Sequence, residues 1–180
     1  LKSVVAPSAR VRRVGALQAA NLAALLFPGA AGAVGCRLLR DDPRLAWLDP
    51  TAGSPHFWII AAAGGAATAA GVGDWLFHLR DGRVVSPRER RAEFFALGLG
   101  GAPLFVLMTC ATLSERPGPF LVPAVAAALA TVAAIAYDEL SFHKKCGRIE
   151  TAYHRVLTLG MGVAWLAWMH GCFVARAAGA

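Results

Sequence analysis

The sequence predicts an all-α integral membrane protein, with five transmembrane helices in one bundle, and three observations carry that prediction. Apolar residues make up 57% of the 180. They gather in five runs of about 20 residues or more, enough to cross a hydrocarbon core of about 30 Å at about 1.5 Å per residue. Charged residues, only 16% of the chain, fall mainly between those runs. The spans are expected at 14–39, 56–79, 92–113, 120–142 and 151–175. They occupy nearly all of 1–180, which reads as a single transmembrane domain with no soluble part.

Taken in order, each span has its own punctuation. The first is basic at its start but far longer than the apolar core of a signal peptide, about 7–15 residues. Phe27-Pro28-Gly29 near its middle predicts a kink, because proline removes a backbone hydrogen bond. This helix is expected to pack peripherally. The segment 41–55 is a loop rich in Pro, Asp and Gly, with Trp47 as an interfacial anchor. Asp81-Gly82 marks a turn after the second span. Ser86-Pro87-Arg88-Glu89 has the pattern of a capping box with proline at the first helical position, so the third helix should begin near Pro87. Pro117-Gly118-Pro119 separates the third span from the fourth. The turn 144–147 makes the fourth and fifth an antiparallel hairpin. Glycines within the spans suit close helix packing. Trp165, Trp168, Met169 and Phe173 read as bulk facing lipid or a partner.

The net charge of +7 is uneven. Lys2, Arg10, Arg12 and Arg13 precede the first span. Arg80, Arg83, Arg88, Arg90 and Arg91 follow the second, and Lys144, Lys145 and Arg148 follow the fourth. With five spans these segments share one side, which the positive-inside rule makes cytoplasmic. The N-terminus is then cytoplasmic and the C-terminus outside, in a multi-pass protein of the inner (cytoplasmic) membrane. Basic charge at membrane flanks needs no nucleic acid to explain it.

Carboxylates and histidines collect at that same side. Asp74 and His78 close the second span and Glu93 opens the third. Glu139 and His143 close the fourth, and Glu150 and His154 open the fifth. Three of these pairs have a spacing of four, which puts both side chains on one helix face. Counted along the helices, Asp74, Glu93, Glu139 and His154 lie roughly 7–9 Å below the helix ends, and His78, His143 and Glu150 roughly 2–4 Å. Ionisable groups within a bilayer are costly, so such a cluster is a functional expectation by default.

The seven residues are the candidate metal ligands, with Asp138 as a residue that orients an imidazole. Mixed imidazole and carboxylate donors suit iron, with zinc or manganese as alternatives, and their number would serve two metal ions. A salt-bridge network at the membrane interface is the plainer explanation of any one pair. Two functional classes follow. One is a membrane-bound di-iron oxidoreductase acting on a lipophilic substrate, or a zinc-dependent hydrolase of a lipid headgroup. The other is a non-enzymatic accessory subunit of a larger respiratory or photosynthetic membrane complex. Neither class names a catalytic residue, and no organic cofactor motif, P-loop or dinucleotide fingerprint is present. Partners are the lipid bilayer, such subunits, and the substrate in the enzyme case. At the opposite side Cys36, Cys110 and Cys172, with His56 and His170 nearby, read first as buried free thiols, with a disulfide or a thiol and imidazole metal site around His170-x-Cys172 as the alternatives.

Overall fold

A computed structural model describes residues 15–80, 86–142 and 146–178. Helix α1 spans Ala16–Leu38, α2 Pro55–Arg80, α3 Pro87–Phe94, α4 Gly101–Leu113, α5 Leu121–Phe142, α6 Arg148–His170 and α7 Arg176–Ala178. Two π-helical segments, Phe95–Gly100 and Gly171–Ala175, join α3 to α4 and α6 to α7. Five continuous helical stretches are long and apolar enough to cross a membrane: Ala16–Leu38, Pro55–Arg80, Pro87–Leu113, Gly118–Phe142 and Arg148–Ala175. They agree with the spans expected from hydropathy to within a few residues. No strand occurs among the described residues. The expected turns at Asp81-Gly82 and 144–147 lie wholly or partly outside them.

The capping box at α3 forms as its sequence predicts. Ser86 Oγ accepts the Glu89 N–H at 3.2 Å, and Glu89 Oε2 accepts the Ser86 N–H at 3.2 Å. Helix α1 runs through Pro28 without a break in its helical assignment. It is the least buried of the five stretches, in keeping with the peripheral packing expected of it. It packs on α2 and α3, and buried Asn21 donates from Nδ2 to Glu93 at 3.2 Å. A single polar residue in an Ala-rich helix has no periodic signal, which is why the contact was not expected.

The most extensive helix contact is between α2 and α6. It depends on a missing side chain. A Cβ at Gly160 would lie 2.7 Å from the Ala63 carbonyl oxygen and 3.0 Å from Ala67 Cβ. Glycine therefore lets the two backbones meet, and Ala67 is fully buried beneath it. Gly73 makes room in the same way for the ring of Tyr153. The bundle has two chemically different ends. One, the carboxylate end, holds the last turns of α2 and α5 and the first turns of α3 and α6. The other, the loop end, holds the segment 39–54 and the π-helical end of α6.

The loop end is tied down by two guanidinium groups. Arg44 binds Asp42 through Nε and Nη2, at 2.9, 3.1 and 2.5 Å. Its Nη1 also donates to Leu113 O at 2.5 Å. Arg176 donates to Thr112 O at 3.1 Å and Ser114 O at 2.7 Å. The final carbonyls of α4, which lack intrahelical partners, are thereby satisfied. Hydrogen bonding from Arg44 holds the Asp42 carboxyl down at about 2, and that of Thr51 lowers Asp49.

Trp168 departs from expectation. It is 4% exposed, packs with Ala111, Ala124 and Cys172, and donates from Nε1 to Thr112 Oγ1 at 2.9 Å. Trp165, Met169 and Phe173 pack against this cluster rather than standing out as bulk. An aromatic run on an apolar helix fits lipid or core equally well, and only the position of α4 decides. Cys36, Cys110 and Cys172 are all free thiols, so no disulfide links them.

Gly160→Val should destabilise the bundle by about 1–3 kcal/mol through overpacking. Gly162→Val, at a position with nothing within 4 Å, should leave thermal unfolding in detergent unchanged. A second outcome concerns acid. Because the Asp42 carboxyl titrates at about 2, below its ordinary 3.8, its contribution is complete above about pH 4 and is lost as pH falls through about 2. Trp47 fluorescence during acid titration should therefore show a transition in that window that Asp42→Asn removes.

Candidate functional site: a carboxylate–imidazole chain

Helix α2 presents Asp74 and His78 on one face, four residues apart, and α6 presents Glu150 and His154 likewise. The Gly160 contact brings the two faces together. His78 Nε2 lies 3.3 Å from Glu150 Oε1 and 3.6 Å from Asp74 Oδ1. His154 Nε2 lies 3.5 Å from Asp74 Oδ2, and its Nδ1 is 2.7 Å from Glu139 Oε1 on α5. Glu150, His78, Asp74, His154 and Glu139 thus form one continuous alternating chain across three helices. Asp74 is its centre, with one carboxylate oxygen toward each imidazole.

Five of the seven residues singled out in the sequence belong to this chain. Glu93 stands at the α1–α3 contact, where it accepts from Asn21. His143 lies outside the described residues. Glu139, expected as a ligand, contacts His154 Nδ1 at 2.7 Å, and Asp138 precedes it on α5. Sequence reasoning missed Asn21 altogether. Among the described residues, no group of three or more His, Cys, Asp and Glu is arranged to hold a metal ion. The contacts are pairwise.

Burial differs between the two ends of the chain. The side chains of Glu150 and His78 are 3% and 8% exposed, Asp74 and His154 are 18% and 14%, and Glu139 is 40%. One end is therefore sealed and the other opens at the surface of the bundle.

The polar chemistry at the sealed end is incomplete. Asp74 Oδ1 and both ring nitrogens of His78 are buried without a hydrogen-bond partner among the described residues. Buried polar groups normally find one, and each that does not calls for a physical reason. Both nitrogens of His154 face carboxylates, as does Nε2 of His78 toward two of them. A neutral imidazole has one N–H, so it can donate to only one carboxylate. The remaining nitrogen–carboxylate contact at His154 needs a second proton or a cation between the two atoms.

No known family model, curated protein or solved structure matches this chain.

Asp74→Ala should destabilise the protein by about 3–5 kcal/mol, because it leaves two buried imidazoles without their shared carboxylate. Glu139→Ala, at the exposed end, should cost less than about 1 kcal/mol. Chemical unfolding of both variants in the same detergent measures the difference.

Proposed function

We propose that this chain is a multi-pass membrane protein that binds metal ions through its carboxylate–imidazole chain, and that the bound metal acts on a lipophilic molecule. One observation carries the reading: Asp74 Oδ1 and His78 Nε2, both buried, make no hydrogen bond although they lie only 3.6 Å apart. Donors bound tetrahedrally at about 2.0–2.2 Å stand about 3.3–3.6 Å from one another. The separations of 3.3 and 3.6 Å at His78 and 3.5 Å at His154 suit donors that share a cation better than donors that share a proton.

In this reading Asp74 bridges, with His78 and Glu150 on one side and His154 on the other. Glu139 accepts the Nδ1–H of His154, which fixes the tautomer and turns the Nε2 lone pair toward Asp74. Glu93 and His143 are candidates for completing the set. A metal held there supplies Lewis acidity and, if it is iron, redox chemistry. Iron suits oxidation of an acyl chain, isoprenoid or quinone, and zinc suits hydrolysis of a lipid headgroup. The exposure of Glu139 makes the α5 side the approach for a substrate dissolved in the membrane, while the sealed end at Glu150 excludes water. The orientation that fits the charge distribution puts the carboxylate end in the cytoplasm.

A second reading rests on the same alternation of groups. Carboxylates and imidazoles in series can pass protons, which would suit an accessory subunit of a larger membrane complex.

Metal analysis by inductively coupled plasma mass spectrometry decides between them, on protein purified in detergent without chelator. The metal reading expects stoichiometric iron, zinc or manganese that falls sharply in Asp74→Asn and less in Glu139→Gln. Folded wild-type protein without stoichiometric metal would overturn it and leave the proton relay.

A further inference from the structure

The opposite end of the same helix pair holds a second pair of potential ligands, which the carboxylate chain does not use. His56 lies in the first turn of α2, and His170 is the last residue of α6. Their rings stack with centroids 5.2 Å apart and planes 15° apart. His56 Nε2 and His170 Nδ1 are 2.9 Å from each other.

We propose that His56 and His170 chelate a divalent first-row transition ion, copper(II) above the others, at the loop end of the bundle. Adjacent ligands of an ion with metal–nitrogen bonds of about 2.0–2.1 Å stand about 2.9–3.4 Å apart, and the observed 2.9 Å lies at the right-angled end of that range. Right-angled nitrogen ligands are those of a square-planar or tetragonal copper(II) centre. Copper(II) is also the ion that imidazole sites bind most tightly in the first-row series. The pair is accessible, since His170 is exposed and His56 half-buried. The other coordination positions then remain open to water or to an incoming ligand.

The pair is also held in place before any ion arrives. The ring of Trp47 meets His56 edge-on, with centroids 6.0 Å apart and planes 75° apart. Trp47 can reach it because residue 171 is glycine: a Cβ there would lie 2.3 Å from two atoms of the Trp47 ring and 3.1 Å from His56 Cδ2. Ser54 Oγ donates to the Trp47 carbonyl and fastens the loop that carries the ring. The helices beneath are those joined at Gly160. Little ordering remains to oppose binding, which favours affinity. Binding needs no net loss of a proton from two neutral rings. The hydrogen now shared between them moves to the far nitrogen of the ring that donates it, leaving both facing lone pairs for the metal.

The site is independent of the carboxylate reading, and its test separates the two. Detergent-solubilised full-length protein is titrated with copper(II) chloride, and paramagnetic resonance reads the nitrogen couplings of the bound ion. Asp74→Asn, which disables the carboxylate chain, should take up about one equivalent with two imidazole nitrogens, and wild type should show the same component. His56→Ala and His170→Gln, each made in the Asp74→Asn background, should lose that signal while eluting as wild type does in size exclusion. His170→Gln lies at the exposed helix end and keeps the test alive if His56→Ala does not fold. An unchanged signal in a folded histidine variant, or a wild-type spectrum without two nitrogen ligands, would overturn the proposal.

Discussion

The close approach of α2 and α6 is the constraint on which the rest of the molecule depends. Gly160 sits where a methyl group would strike the Ala63 carbonyl and Ala67. Membrane helices gain little from hydrophobic contact with one another, so packing at such small-residue crossings has to hold them. The crossing does more than hold. It brings Asp74 and His78 against Glu150 and His154 at one end, and His56 against His170 at the other. Two clusters of polar side chains therefore share one mechanical support.

At the carboxylate end, Asp74 performs the central task because it meets two histidines through separate oxygens. A carboxylate that serves two imidazoles cannot satisfy both through neutral hydrogen bonding alone, since each histidine is also opposed by a glutamate. In the proposed reading, an extra positive charge, metal or proton, would complete the cluster. Low dielectric strengthens such interactions and makes an unsatisfied member expensive.

The loop end solves a different problem. Helix α4 stops at Leu113 with carbonyls that have no partner in the helix, and two arginines far apart in sequence, Arg44 and Arg176, supply the donors. The π-helical segment Gly171–Ala175 carries Cys172 into the core between α4 and α5, beside Trp168. Irregular helical turns of this kind often accompany functional positions, and this one directly follows His170.

The sequence by itself determined the five helices, their limits to within a few residues, the capping box at Ser86 and the gathering of carboxylates and histidines at one end. Each of these is local: run length, turn chemistry, and a spacing of four on a helix are legible without knowing any neighbour. The tertiary structure alone decided which of the gathered residues touch. It made Asp74 the shared centre and brought Glu139 to His154. It brought Asn21 to Glu93 and turned Trp168 into the core. The reason is rotational. Hydropathy is nearly uniform around these Ala- and Leu-rich helices, so the sequence carries almost no signal for which face turns inward, and that choice was left to the contact at Gly160 and its neighbours.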